Sequence, residues 1–271
     1  MKIAAIQMVS GTQRDGNLRA ARNLLEQAAH SGAELAVLPE YFCLMGHKDT
    51  DKLACREPEG DGVIQRFLAD TAQALQMWIV GGTLPIQTTT PDRVRNTTLV
   101  FDPTGACVAR YDKIHLFGYD NGREHYDESR VIEAGHDPVQ FDLTARDGHR
   151  WRIGLSVCYD LRFPELYRHH ARAGADLMLV PSAFTHTTGQ AHWEVLLRAR
   201  AVENLAYVLA PAQGGLHDNG RRTWGHSMLV DPWGQVLAQQ DEGPGVVMGE
   251  LSAQHLHTVR TQLPALIHRI L

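Results

Sequence analysis

Residues 32–42, GAELAVLPEYF, and residues 174–184, GADLMLVPSAF, carry one pattern twice: Gly-Ala-acid, a four-residue apolar run, a proline, and a closing phenylalanine. A four-residue apolar run between a glycine and a proline reads as a short strand with both faces buried. The repetition extends outward in both directions. RIGLSVC (152–158) echoes KIAAIQM (2–8), and NLAYVLAPAQGG (204–215) echoes the WIVGGTL region (78–84). MLVDPWGQVLAQQD (228–241) echoes LVFDPTGACVARYD (99–112), each with an Asp-Pro-x-Gly turn between two β-rich runs, which is a hairpin signal. Four echoes in one order are hard to reach by chance. They describe one unit, residues 1–271, built from two similar halves.

Helical patterns alternate with these strands. NLRAARNLLEQAAHSG (17–32) is amphipathic and ends in glycine, and VIQRFLADTAQALQ (63–76) follows the same period. TTTPDR (88–93) and GYDNGREHYDESR (118–130) read as loops. Helices over twice-buried strands give an α/β layer fold. The pattern allows either a three-layer doubly wound sheet or a four-layer α-β-β-α sandwich with an internal two-fold pseudo-repeat.

Composition narrows the class. The chain is 44% hydrophobic and 21% charged, with a net charge of −5. It can bury a large core, and its charge argues against nucleic acid, which calls for a basic footprint. The apolar start of MKIAAIQMVSG is too short for a secretion signal, and no run of 18 apolar residues is present to span a membrane. Cys43, Cys55, Cys107 and Cys158 show no CxxC spacing and read as reduced thiols, which places the protein in the cytoplasm. The fifteen histidines form no zinc spacing, so no metal is expected.

Three residues close apolar strands or hairpins: Glu40 after LAVLP, Lys113 after ARYD, and Cys158 after LSV. Ends of strands are where α/β folds place their sites. A thiol, a carboxylate and an ammonium are the parts of covalent acyl transfer: nucleophile, proton acceptor and charge stabiliser. Each residue alone also fits a packing thiol, a turn carboxylate or a solvated loop charge.

Their contexts decide. LPEYF around Glu40, YDKIHLF around Lys113 and CYDLRFPE around Cys158 resemble the three signatures of the nitrilase superfamily of carbon–nitrogen hydrolases. The resemblance runs over essentially the whole chain and implies the α-β-β-α sandwich. It implies a cofactor-free amidase in which Glu40 is the base, Lys113 the electrophilic stabiliser and Cys158 the nucleophile of a thioester. It further implies that Glu128, in HYDES, positions lysine and substrate, and that the Tyr159 N–H completes an oxyanion hole with Lys113. Homodimers or larger homo-oligomers are implied as well, through PELYRHHARAG (164–174) and the 190–204 helix.

PSAFTHTTGQAHWEVLLRARAVEN (181–204) and GHSMLVDPWG (225–234) resemble the Nit branch that hydrolyses deaminated glutathione to 2-oxoglutarate and cysteinylglycine, a metabolite-repair reaction. The alternatives are an ω-amidase acting on 2-oxoglutaramate or 2-oxosuccinamate, another small aliphatic amidase, a nitrile hydrolase, or a binding protein on an inactive hydrolase fold. An anionic amide substrate calls for cationic or N–H partners. Arg162, Arg123, Phe184, Thr185 and His186 are the candidates, with Arg130 and Thr187 beside them. For Arg162 a structural ion pair with Glu165 is the competing reading. Trp193, Leu196, Leu197 and Arg200 share one helical stripe and read as packing. The wording of FGYDNGREHYDES differs from the shorter acid-and-proline text of better-known members, and loops around a site set substrate choice.

Overall fold

The computed structural model describes residues 1–270. In the first half the chain runs β1 (Lys2–Gln7), α1 (Arg14–His30), β2 (Leu35–Val37), α2 (Asp51–Ala54), α3 (Val63–Leu75), β3 (Trp78–Val80), β4 (Leu84–Gln87), β5 (Val94–Phe101) and β6 (Cys107–Asp112). A small hairpin, β7 (Gly118–Asp120) and β8 (His125–Asp127), leads to a 3₁₀ turn at Glu128–Arg130. The second half runs β9 (Gln140–Thr144), β10 (Arg150–Leu155), α4 (Pro164–Arg172), β11 (Leu177–Leu179), α5 (His186–Asn204) and β12 (Tyr207–Ala210). It continues with the hairpin β13 (Gly214–Leu216) and β14 (Arg222–Trp224), then β15 (Ser227–Val230), β16 (Val236–Gln240), β17 (Gly245–Glu250) and α6 (Ala253–Gln262).

Two main sheets form. One has the order β17-β1-β2-β3-β5-β4, with β6 also paired to β5; the other has the order β16-β15-β12-β11-β10-β9. The echoed segments occupy matching places. β1, β2 and β3 are parallel neighbours, and so are β10, β11 and β12. The two Asp-Pro-x-Gly turns close the β5–β6 and β15–β16 hairpins with the same bonds. Asp102 Oδ1 accepts from the Thr104 and Ala106 amides at 2.8 and 3.1 Å, and Asp231 Oδ1 accepts from the Trp233 and Gln235 amides at 3.0 and 2.8 Å.

Side-chain alternation explains the four layers. On β1 and β2, Ile3, Ala5, Leu35 and Val37 enter a core shared with Ile153, Leu155, Leu177 and Leu179 of the other sheet. Ala4, Ile6, Ala36 and Leu38 point the opposite way, onto Leu18, Ala21 and Leu25 of α1 and Ile64 and Leu68 of α3. In α5, Trp193, Leu197 and Arg200 are buried, as the stripe predicts. Arg200 donates to the Leu161 carbonyl from Nε (3.0 Å) and Nη2 (2.7 Å), so it fastens α5 to the Cys158 turn instead of meeting substrate. Among the described residues no helix is long and apolar enough to cross a membrane.

Residues 118–130 are not an irregular loop. Tyr119 pairs with Tyr126 across the β7–β8 hairpin, and the Asp120-Asn121-Gly122 turn is held by Asp120 Oδ1 accepting from the Gly122 amide at 2.8 Å. Strands of three residues are too short to show a two-residue alternation, so the pattern stays hidden in the sequence.

Two packing details support the strand ends. Gly82 has φ +51°, and a Cβ there would lie 2.1 Å from the Pro39 carbonyl oxygen, directly behind Glu40. His170 is fully buried, with Nε2 at 2.8 Å from the Leu155 carbonyl and Nδ1 at 3.2 Å from the Gln140 amide nitrogen. That arrangement assigns the neutral Nε2–H tautomer, and burial pushes the imidazole down to about 4. Gly82→Ala is expected to lower unfolding free energy by about 2 kcal/mol or more, since a close-packed backbone must shift; an unchanged urea midpoint contradicts this. For His170 the unfolded chain binds the extra proton first, so stability falls as pH drops from about 6.5 towards 4. The full loss is about 3 kcal/mol and is read by urea titrations across that range. His170→Gln is expected to flatten the slope.

Candidate active site

Glu40, Lys113 and Cys158 come from different strands and meet at one edge of the paired sheets. Glu40 follows β2, Lys113 follows β6, and Cys158 lies beyond β10 where a 3₁₀ turn (Cys158–Arg162) begins. Cys158 takes φ +49°, a left-handed conformation that L-residues adopt only under constraint. The constraint is visible. The Cys158 amide donates to Pro181 O at 2.9 Å, and Asp160 Oδ2 accepts from the Val157 amide at 2.8 Å. The thiol is therefore presented by a sharp strand-to-turn corner.

Lys113 is 1% exposed and its ammonium is shared by two carboxylates, Glu40 Oε1 at 2.9 Å and Glu128 Oε2 at 2.8 Å. Glu40 is completed by Asn96 Nδ2 at 2.9 Å and the Ala183 amide at 3.1 Å. Glu128 is completed by the Tyr41 hydroxyl at 2.5 Å and the Phe117 amide at 2.8 Å. Burial alone would push the lysine down, but Glu128 and Glu40 outweigh it and hold the ammonium above its ordinary range. Burial likewise works to raise Glu128, and Lys113 reverses the sign, keeping it ionised. Burial and the neighbouring Glu40 carboxylate push the Cys158 thiol well up, with Lys113 opposing only in part. Two carboxylates and one ammonium already leave a net negative charge, and a thiolate would add a second in the same dehydrated space. The resting group is a thiol.

Asp160 ties the lysine turn to the cysteine turn. It is fully buried and accepts from Tyr111 Oη at 2.6 Å and the His115 amide at 3.0 Å, besides Val157. His115 in turn stacks on Phe163 with ring centroids 3.7 Å apart.

The pocket beside the thiol is walled by Tyr159, Arg162, Phe184 and Thr185, four of the residues expected from the sequence, and by Phe117 and Thr188, which were not. Arg162 does not pair with Glu165. Its Nη1 stands 3.2 Å from His192 Nδ1, and its guanidinium lies 5.7 Å from the Tyr159 ring and 5.4 Å from the Phe184 ring. The structure does not bring Arg123 or His186 into this pocket. Arg123 is exposed at the hairpin tip, its amide on Asn121 Oδ1, and His186 opens α5 edge-on to Trp224. Arg130 is exposed in the 3₁₀ turn after β8, and Thr187 donates to Glu124 Oε2 at 2.9 Å. Tyr41 and Asn96 complete the carboxylates without having been singled out. Tyr41 stands inside LPEYF and was within reach of a motif reading, whereas Asn96 has no local signal.

Iodoacetamide, itself a small amide, is expected to alkylate Cys158 before Cys43, Cys55 or Cys107, although Cys107 is exposed and Cys158 buried. Glu40→Gln is expected to remove the advantage. Peptide mapping over a time course reads both, and first labelling at Cys107 contradicts the expectation.

Comparison with known proteins points to one family. The sequence profile described as carbon-nitrogen hydrolase matches residues 2–261. The chain is 40% identical over 270 residues to a deaminated glutathione amidase of Synechocystis sp., covering 98% of this chain and 97% of that one. It is 36% identical to the Homo sapiens protein of the same name, covering 98% and 81%. The crystal structure of the C. elegans NitFhit protein superimposes with a TM-score of 0.89 at 36% identity, over 99% of this chain and 65% of that one. With Glu40, Lys113 and Cys158 gathered on the sheet edges of an α-β-β-α sandwich, the chain belongs to the carbon–nitrogen hydrolase family.

Proposed function

We propose that the protein hydrolyses deaminated glutathione at its internal amide, giving 2-oxoglutarate and cysteinylglycine, with Cys158 as nucleophile. The observation that carries the chemistry is the buried ammonium of Lys113, held between Glu40 and Glu128 beside the Cys158 thiol. The relatives named deaminated glutathione amidase support the choice of amide.

The steps follow from the charges. Glu40 takes the thiol proton as sulfur attacks the amide carbon. The carbonyl oxygen becomes an oxyanion between Lys113 Nζ and the Tyr159 N–H, which lies in the first turn of a helix, where amides lack intrahelical acceptors. The C–N bond breaks, and the proton held by Glu40 goes to the departing amine. Glu40 then takes a proton from water as its oxygen attacks the thioester; the C–S bond breaks, the acid leaves, and Glu40 returns that proton to the Cys158 sulfur. Glu128 takes no proton in this scheme; it keeps Lys113 charged and in place. Because the resting site is already negative, the thiolate forms only as its charge passes to an oxygen facing the ammonium.

Arg162 supplies a cation for the 2-oxo acid end, against a wall of Tyr159 and Phe184. The free space there is about 10 Å³, room for roughly one water, so the wall has to give way to admit the acyl arm. Four free cysteines fit a reducing cytoplasm. Exposed Val195 and Val202 on the outer face of α5 fit a homo-oligomer contact.

The test is kcat/KM on deaminated glutathione and on 2-oxoglutaramate, with Cys158→Ala as blank. The expected result is a preference of at least 100-fold for deaminated glutathione and no turnover by the variant. A preference for 2-oxoglutaramate makes the protein an ω-amidase with the same triad. Equal rates for variant and wild type remove Cys158 from the chemistry.

A further inference from the structure

We infer that a cationic cleft beside the triad, centred on Arg221, binds the carboxylate on the leaving-group side of the substrate. The inference rests on the amidase reading above and names a subsite that the reading leaves open.

The cleft, of about 310 Å³, is lined by Lys48, Lys52 and Arg221, with His47 and His125 at its edges and Asp49 as the one carboxylate. Three cations against one anion is unusual in a chain of net charge −5 that contains only four lysines. The arrangement leaves charge unspent. Asp49 reaches Lys52 only at 3.5 Å. Lys48 and Arg221 have no carboxylate of a described residue within ion-pair distance. The guanidinium of Arg221 is held instead by two long contacts to uncharged acceptors, Met45 Sδ at 3.8 Å and Ala183 O at 3.3 Å, and lies 5.1 Å from the Tyr126 ring. Its Nε is buried with no partner at all. A buried donor of a charged group without an acceptor is costly, and native proteins rarely keep one without a use.

Two residues join this cleft to the reacting atoms. Tyr41 lines it and donates to Glu128, and Ala183, whose carbonyl takes Arg221, gives its amide to Glu40. The pocket of Arg162 touches Ala183 as well. Ala183 thus stands between a narrow, aromatic, singly cationic pocket and the wide cationic cleft, and the proposal puts the leaving group in the cleft. Cysteinylglycine spans roughly 7 Å from its amine to its terminal carboxylate, and it is the bulkier part of the substrate. Its carboxylate suits a guanidinium that offers parallel N–H donors. Ammonia, the leaving group of 2-oxoglutaramate, would have no use for such a cleft.

The experiment compares deaminated glutathione with its glycinamide analogue, in which the terminal carboxylate is a carboxamide. Wild type is expected to favour the acid by about 10- to 100-fold in kcat/KM, a preference that shrinks as salt screens Lys48 and Lys52. Arg221→Gln should lose the preference, and Lys48→Gln should reduce it while the analogue's kcat/KM stays within about two-fold. Equal use of acid and amide by wild type overturns the subsite and leaves the amidase reading standing. So does an equal loss on both substrates in Lys48→Gln, whose exposed site should not disturb folding. Calorimetry with cysteinylglycine and cysteinylglycinamide on Cys158→Ala reads the cleft without turnover. Binding of the acid alone, abolished by Arg221→Gln, supports the subsite even if deaminated glutathione proves a poor substrate, and indifference to the carboxylate defeats it.

Discussion

A single dehydrated ammonium organises this molecule. Lys113 is removed from water, and an isolated charge in that position costs several kcal/mol. Two carboxylates make it tolerable, and each is itself completed by an amide and a side-chain donor, Asn96 and Ala183 for Glu40, Tyr41 and Phe117 for Glu128. Seven positions from distant parts of the chain must therefore arrive together. The reward is a charged group with no slack, which the proposed mechanism sets against an oxygen that is neutral in the substrate and negative in the transition state. Preorganisation of this kind is where electrostatic catalysis gains most.

The Cys158 thiol is held by a further buried acid. Asp160 accepts from Val157 on the cysteine side and from Tyr111 and His115 on the lysine side, so the two turns cannot move independently. The left-handed φ of Cys158 is the local strain that this acid, together with the Cys158–Pro181 hydrogen bond, holds in place. Arg200 adds a third fastening, from α5 to Leu161 of the same turn.

The two-fold repeat builds the scaffold, and its breaking builds the site. Glu40 follows the second strand of the first half, and the corresponding position in the second half is Ser182, whose hydroxyl donates to Val180 O in its own chain turn. Cys158 follows β10, the strand that matches β1, and the first half has Met8 at the corresponding place, a buried apolar residue. Symmetry places strand ends opposite each other across the sheet pair. Substitution at those ends then puts one acid and one thiol on facing sides of a shared space.

The amino-acid sequence by itself determined the central strands of each half and the paired Asp-Pro-x-Gly hairpins, and its three motifs singled out Glu40, Lys113 and Cys158. These depend on apolar runs, turn chemistry and short motifs, all of which lie within about ten neighbouring residues. It also separated the packing role of Arg200 from binding, because helical spacing is local. Only the tertiary structure decided which side chains share the site. Tyr41 reaches Glu128 and Ala183 reaches Glu40 across 87 and 143 positions, and no local pattern encodes such pairs. For the same reason Arg162 met His192 instead of Glu165, Arg123 and His186 stayed outside the pocket, and Arg221, one of a pair of arginines in a polar turn, came to stand unpaired beside the triad. Local chemistry specifies an element; the charge balance of a site is set by whatever the packed layers bring within reach.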